Sequence, residues 1–371
     1  MTQVRFKPLD TDSFFGAMVY DRVVPQDHFL RKLDEVVPWQ RFTYKLVKYY
    51  RGRAKEGRPP YEPAVLLKML LVAYLYDLSE RQVEEVANFH LPVKCFLGLA
   101  ADELAPDHST LTAFKSRIVE NGRLEAFEEL LNEIIRIAQQ QGIRFGSIQV
   151  MDSVHTIADV NVEKDEQRQN KGGQARRDPN AQWGVKGTRR KRDAQSQRIE
   201  QPQYFYGYKA HVSLNAETGL ITSMVHTPGN AYDGHQLPKL LDKDLALGLP
   251  VDIVTADRAY DDSDNHFLLQ SKGLHSAIRL HSLRTHKKDP NKEVWEQLQA
   301  SPQYKQGLRE RYKIERKFGE SKKQHGLGRC RYLGIIRYAI QGFLTAIVLN
   351  LKRMVLLLTR VPFKGRARAL A

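Results

Sequence analysis

Three carboxylates are the residues of this chain best suited to do chemistry. Asp152 and Asp257 each follow a short apolar run that predicts a buried strand, at 147–151 and 251–256, and Glu315 lies in a strongly basic helical segment. Acids at the carboxyl ends of strands point into the crevice where open sheets place their ligands. If the two strands are neighbours, the like charges repel each other unless a cation neutralises them. The pattern favours a divalent-metal site, although a lone aspartate of this kind is more commonly a turn or helix cap.

Glu315 shares a helix face with two cations. Arg311 precedes it by four residues and Lys322 follows it by seven, so all three point to one side of a helix. An ordinary solvated Arg–Glu pair has the same spacing and remains an alternative. Ile314 and Phe318 indicate that part of this helix packs inward. An acid placed among so many cations suits a metal ligand flanked by phosphate clamps.

Other acids compete for the same site. Asp233 follows a Gly–Asn turn, and Glu320 lies five residues after Glu315, about 500° further round the helix. Both therefore rank below the main three. Asp261 and Asp262 are expected to cap the helix that follows them.

The composition is that of a globular protein with a polyanionic partner. The chain has 371 residues, of which 42% are hydrophobic and 27% charged, and its formal net charge is +15. A field of this sign raises the local concentration of phosphate backbones. Charge alone does not separate a DNA-processing enzyme from an RNA-binding protein, but an RNA-binding protein leaves the three acids unexplained.

Cysteine usage and hydropathy predict a cytoplasmic protein with no membrane partner. Cys95 and Cys330 lie far apart and form no metal-binding or disulfide pattern. The first residues lack the apolar core of a signal peptide. The apolar run 339–358 is interrupted by polar residues such as Gln341 and Lys352, so we interpret it as a buried helix.

The first part of the chain predicts an all-α domain over 1–142. An apolar helix covers 63–74 with proline at its start, and a serine cap opens another at Ser79. A third helix after Asp107 suits a helix-turn-helix reader of DNA ends, with Lys115 and Arg117 on phosphates. A bundle that only packs or dimerises is an equal alternative, and a fourth, longer helix is predicted from Leu124 to Gln141.

After Gly142 the periodicity changes and predicts an α/β domain over 143–345. Helical patterns at 235–246, 262–272 and 305–359 alternate with or follow strand-like runs, which indicates a mixed sheet flanked by helices. The predicted strands are 147–152, 204–214, 219–227, 251–257 and 275–280. Residues 346–371 are expected to form a C-terminal helix and a basic tail.

A basic polar insertion occupies about 163–203. Between Arg168 and Arg198 there are ten lysines and arginines against two aspartates, a net charge of +8, with few apolar residues to bury. We interpret this segment as a polar loop that contacts DNA or closes over the substrate; a solvated, tolerated insertion is the alternative. The densest cations, predicted to bind DNA, are Arg189, Arg190, Lys191 and Arg192.

Several ordered motifs resemble those of DDE-type insertion-sequence transposases of the IS4/IS5 superfamily. Arg311, Glu315 and Lys322 match the R-x3-E-x6-K part of the family signature. The strings MDSVHT, YGYKAH, PGNAYDGHQL and TADRAYDD are similar to upstream family blocks in the same order. The resemblance spans 147–345, and 58–120 resembles the helical domain that precedes it. One departure is Leu308, where the signature often has tyrosine.

The resemblance implies an RNase H-like fold in which Asp152, Asp257 and Glu315 bind two divalent ions, Mg²⁺ or alternatively Mn²⁺. Arg311 and Lys322 would then clamp phosphates. The expected activity is cleavage of double-stranded DNA at terminal inverted repeats and joining to target DNA, by a homodimer in a synaptic complex. Such enzymes work in the bacterial or archaeal cytoplasm, associated with the nucleoid. A nuclease of the same fold that cuts without joining, and an inactive DNA-binding relic, are the alternatives.

Overall fold

The structure is a computed structural model whose chain divides into two compact units. One unit comprises 1–143 with 344–371, and the other comprises 144–343. The described residues are 6–7, 14–50, 59–119, 124–173, 175–192, 198–286 and 289–364.

The first unit is built from helices, which confirms the predicted helical N-terminal part. Every residue of α4 is buried, as expected for a helix that is apolar on all sides. Its helices are α1 Phe14–Val23, α2 Phe29–Val36, α3 Gln40–Leu46, α4 Pro63–Leu75, α5 Glu80–Phe89, α6 Leu91–Leu97, α7 His108–Ile118 and α8 Glu125–Gln140.

Two of these helices begin at the caps that the sequence predicts. Ser79 accepts a hydrogen bond from the backbone of Gln82, whose side chain bonds back to Ser79 in a capping box. Asp107 accepts a 2.7 Å bond from the Thr110 amide at the start of α7.

The second unit contains a mixed six-stranded sheet. The strand order is β4-β3-β1-β5-β6, and β2 pairs with the first part of β3. Strand β3 is antiparallel to β1, β2 and β4, whereas β5 and β6 run parallel to β1. This order and these directions are those of an RNase H-like sheet, which confirms the predicted fold class. The strands are β1 Ile148–Ile157, β2 Gln182–Arg192, β3 Arg198–Asn215, β4 Ile221–Pro228, β5 Ile253–Ala256 and β6 His275–Ile278.

Helices cover both faces of this sheet. Val254 and Ala256 pack with α10 and α11 residues in one buried cluster. Thr255 faces α13 instead, where a Cβ on Gly307 would lie 2.4 Å from the Cβ of Ala277. Alternate strand residues point to opposite faces, so α13 lies across the sheet from α10 and α11. The helices of this part are α9 Val162–Gly172, α10 Leu237–Ala246, α11 Ser263–Ser271, α12 Lys292–Ala300, α13 Pro302–Glu310 and α14 Tyr312–Gln324. Helix α15, Ile335–Thr359, begins in this unit, and its residues from Leu344 onward belong to the first unit.

The predicted polar loop between Arg168 and Arg198 is wrong, because this segment contains the end of α9 and all of β2. The helix is capped by Asn161, which accepts a bond from the Lys164 amide. Strand β2 pairs with 198–207 of β3, including a Trp183–Tyr206 pair whose rings lie 5.5 Å apart. Cross-strand aromatic contacts of this kind stabilise a ribbon that charge composition alone does not reveal.

The C-terminal helix α15 is long and apolar enough to cross a membrane by length and composition, alone among the described helices. Two thirds (67%) of its most apolar window is buried inside the protein. The helix interpretation of 339–358, and its burial, therefore agree with the structure.

Candidate active site

The sheet register places Asp152 and Asp257 side by side. The last pair in the parallel ladder between β1 and β5 is Met151 with Ala256, and each aspartate follows its own member of that pair. Strand β1 does not end there as predicted, since pairing with β3 continues it to Ile157. The two carboxyl groups thus lie at the carboxyl end of β5, beside the point where β1 loses its pairing with β5 and continues in its pairing with β3.

Backbone amides hold both carboxylates. The amide of Ser153 donates to Asp152 over 2.7 Å, and the amide of Ala259 donates to Asp257 over 2.9 Å. Asp257 also caps the short 3-10 turn Arg258–Tyr260. These bonds fix the side-chain directions before any ligand is present.

The pair is electrostatically strained. Burial, followed by the negative charge of Asp257, raises the pKa of Asp152 to about 7. Burial likewise raises the pKa of Asp257, and the guanidinium of Arg311 acts against the rise at both residues. A divalent cation between hard carboxylate oxygens would relieve this repulsion, so the pair fits such an ion.

Asp233, which the sequence favours less than the main three acids, lies close to Asp152 and Asp257. Its carboxylate accepts a 2.8 Å bond from the Ser153 hydroxyl and forms a 2.7 Å ion pair with Lys209. Its charge contributes to the raised pKa of both Asp152 and Asp257. The only sequence signal for it was its place in the string PGNAYDGHQL, because its contacts come from distant strands.

A buried polar group lies beneath these acids. His211 is fully buried, with Nε2 at 2.9 Å from the Thr227 hydroxyl and Nδ1 at 3.4 Å from the Tyr260 hydroxyl. Burial lowers the pKa of His211 to about 4, so the ring is neutral at pH 7. Neutral His211 fixes Tyr260 without adding charge to the site.

Arg311 joins α13 to α14 with helical backbone angles, φ −56° and ψ −35°. Its Nε is buried and has no hydrogen-bond partner among the described residues. Seven residues after Glu315, the Lys322 ammonium lies 3.2 Å from Nε2 of His155 on β1. The two cations at either end of the predicted helix face therefore both reach the region of β1.

Glu315, between those cations, is exposed. Among the described residues, no three His, Cys, Asp or Glu side chains are arranged to hold a metal ion. The structure therefore brings together Asp152, Asp257 and Arg311, and it does not join Glu315 to them in a three-carboxylate group.

Two family models match this chain. A transposase domain (DUF772) matches 18–117, and a transposase DDE domain matches 173–351, so the two segments together cover most of the sequence. The chain belongs to the DDE transposase family. The DDE match includes Asp257 and Glu315 and begins after Asp152.

Solved transposase structures resemble this transposase weakly. A piggyBac transposase synaptic complex with hairpin DNA has a TM-score of 0.41 at 9% identity, covering 93% of this chain and 77% of that one. A Mos1 transposase paired-end complex with the left transposon end has a TM-score of 0.20 at 12% identity, covering 82% and 90%. Overlap at these scores is too low to transfer any feature of those complexes.

The residues predicted to contact DNA outside the active site are not all exposed to solvent. Lys115 is buried and forms an ion pair with Glu80, which argues against the phosphate contact predicted for it. Arg117 is exposed, and its guanidinium lies 4.6 Å from the ring centroid of Tyr50. The backbone of 189–192 pairs with 198–201, whereas the side chains of Arg189, Arg190, Lys191 and Arg192 lie outside the described part of the structure.

Proposed function

We propose that this DDE transposase is an insertion-sequence enzyme of the IS4/IS5 type. It binds the ends of its element, cleaves DNA phosphodiester bonds there and joins the excised end to target DNA. The observation that carries the proposal is the adjacent pair Asp152 and Asp257, with Arg311 beside both. Acids in this position, inside a family of DNA-processing proteins, suit phosphoryl transfer better than any structural role.

Asp152, Asp257 and Glu315 are proposed to hold two divalent ions, Mg²⁺ with Mn²⁺ as a substitute. Such ions, when bound, activate the attacking hydroxyl and stabilise the leaving oxygen of an in-line displacement. Hard carboxylate oxygens suit these metals. The raised pKa of Asp152 supports the proposal, because it indicates that the carboxylate lacks a cation strong enough to neutralise it. Glu315 is supported by its place on the helix face between Arg311 and Lys322.

The chain's own side chains orient the DNA strand. Arg311 presents a guanidinium beside both aspartates, where it binds a phosphate and balances their charge. Lys209, held by Asp233 and by the Ala231 carbonyl at 3.0 Å, adds a second fixed cation near the same acids. Neither residue changes its covalent bonds during the reaction.

Double-stranded DNA is the proposed partner, as terminal inverted repeats and as target. Both element ends must be processed together, so we propose a homodimer in the synaptic complex. The proposed location is the nucleoid of a bacterial or archaeal cell, where the DNA lies.

The test is cleavage and joining of end-labelled candidate element termini by the folded protein with Mg²⁺. The proposal expects cut and joined products from the wild type, and neither from Asp152→Asn, Asp257→Asn or Glu315→Gln. Asp252→Asn is the matched control, since Asp252 is exposed, lies before β5 and precedes Asp257 by five residues. Cuts without joined products would indicate a nuclease. Activity that survives in the three variants would overturn the assigned site.

A further inference from the structure

A β-bulge sits in the ribbon formed by β2 and β3. Residues 198–206 of β3 pair only with β2, so the ribbon extends beyond the part of β3 that pairs with β1 and β4. The register shifts between Val185 and Gly187, and Gly187 has φ +129°, a value that side chains rarely tolerate. Lys186 is the extra residue of this bulge. Bulges beside active sites commonly redirect one side chain.

The charge of Lys186 acts on two residues of other elements. It lowers the pKa of both His155 on β1 and Lys322 on α14. The Lys322 ammonium is 3.2 Å from Nε2 of His155 and 3.4 Å from Nδ1. The Lys322 ammonium therefore contacts the His155 imidazole, and the charge of Lys186, in the bulge, acts on both groups.

This cluster has cations without acids. Among the described residues, neither Lys186 nor Lys322 forms an ion pair with a carboxylate, whereas the neighbouring Lys209 is paired with Asp233. His155 is neutral at pH 7, because burial, and then the charge of Lys322, lower its pKa to about 4. It therefore contributes no charge of either sign to the cluster. Its neutral ring accepts one hydrogen bond from Lys322 and keeps one N–H to donate.

An anion is the natural partner of such a cluster. Burial, and then the charge of Lys186, lower the pKa of Lys322 to about 8, so the charged form of Lys322 is destabilised in the free protein. A phosphodiester oxygen would accept from both ammonium groups, and charge-assisted bonds of this kind are strong. His155 follows Asp152 by three residues on β1, so their Cα atoms lie roughly 10 Å apart along the strand.

We propose that Lys186, His155 and Lys322 form a binding site for one backbone phosphate of the bound DNA end. The site fastens the ribbon to the DNA end and couples it to α14. Lys322 is already assigned to phosphate by the family signature; Lys186 and His155 are new. The inference rests on the proposed function in taking DNA as the polyanion.

Fluorescence anisotropy of a short duplex terminus with the full-length protein, in EDTA at 50 to 200 mM salt, tests the site. Lys186→Gln is expected to weaken binding and to reduce the slope of log affinity against log salt by about 0.9, as for one lost phosphate contact. Lys186→Arg, which keeps the charge, is expected to restore the slope. The double variant with Lys322→Gln is expected to lose less than the sum of the two, since both residues hold one phosphate.

Lys272→Gln is the matched control. Lys272 follows α11 and precedes β6, so it lies at the amino edge of the parallel strands, opposite to the acids. It is expected to bind like the wild type. The site would be overturned if folded Lys186→Gln kept the wild-type slope of log affinity against log salt, or if it lost no more DNA affinity than Lys272→Gln. Either result would leave the proposed function intact. A wild type that neither binds nor cuts DNA would overturn both.

Discussion

Asp152→Asn should make the metal-free protein more stable above pH 7 and remove its response to Mg²⁺. The folded-state pKa of Asp152 is raised from 3.8 to about 7, chiefly by burial and then by Asp257. Between those two pH values the folded chain keeps a proton that the unfolded chain loses. The stability of the wild type therefore falls as pH rises from about 4 to about 7, and the penalty is complete above that.

The size of this penalty follows from the pKa shift. At about 1.4 kcal/mol per pKa unit, the shift of Asp152 corresponds to at most about 4 kcal/mol. Asp152 is partly exposed, and solvent screening reduces the expected gain to roughly 1–3 kcal/mol. Asparagine keeps the shape and the bond from the Ser153 amide but carries no charge, so it removes the repulsion.

Urea unfolding in EDTA at several pH values between 4 and 8 measures the effect. The advantage of the variant should be near zero at pH 4 and should grow until pH 7. Added Mg²⁺ should stabilise the wild type by mass action and the variant much less. Asp252→Asn, at an exposed acid before β5, should show neither change. An advantage that is the same at pH 4 and pH 8, or an unchanged Mg²⁺ response, would refute the reasoning.

Three further predictions test separate parts of the structure. Gly342→Ala should destabilise the fold by about 1–3 kcal/mol in urea, because its Cβ would lie 2.1 Å from Nε2 of His226. Gly319→Ala in α14, where no atom of the described residues would lie within 4 Å of the new Cβ, should instead stabilise by about 0.5–1 kcal/mol; equal stabilities of the two variants would show that the packing is wrong. Lys322→Met should raise stability by on the order of 1 kcal/mol after screening below pH 8, because the lowered pKa penalises the charged form. This gain should vanish as pH approaches 10.5 in the same unfolding assay, and a gain that persists there would contradict it. Asp233→Asn should reduce Mg²⁺-dependent cleavage about 10- to 100-fold in initial rates, since it frees the groups that orient the site; an unchanged rate would remove Asp233 from it.

Local patterns in the sequence were sufficient for much of the fold. Period-two apolar runs located β1, β3, β4, β5 and β6, and serine and aspartate caps located two helices of the first unit. The strand ends were less predictable, because β1 continues past Asp152 only through its pairing with β3. Such pairing depends on residues about 60 positions away, which no local window contains.

Charge patterns were the least reliable guide. The basic segment around β2 predicted a loop, yet cross-strand contacts such as that of Trp183 with Tyr206 make it a ribbon. Lys115 belongs to a helix rich in polar residues, but Glu80, 35 residues earlier, buries its ammonium in an ion pair. A count of charges gives no information on which of them are already paired.

The sequence predicted the two strand-end acids of the candidate site but not the contacts that other residues make around them. Asp152 and Asp257 follow from strand position and flanking motifs. Asp233 joins them through Ser153, 80 residues away, and His155 meets Lys322 across 167 residues. Contacts of that range are set by the tertiary fold.

Diffraction from crystals of the protein with a DNA end and Mn²⁺, recorded at the manganese absorption edge, tests the central claim most directly. The account predicts anomalous peaks from manganese ions that are bound by carboxylate oxygens of Asp152 and Asp257, with Glu315 as the third acid. Manganese bound away from Asp152 and Asp257, or held at that edge by Asp233 with Glu315 still exposed to solvent, would contradict it.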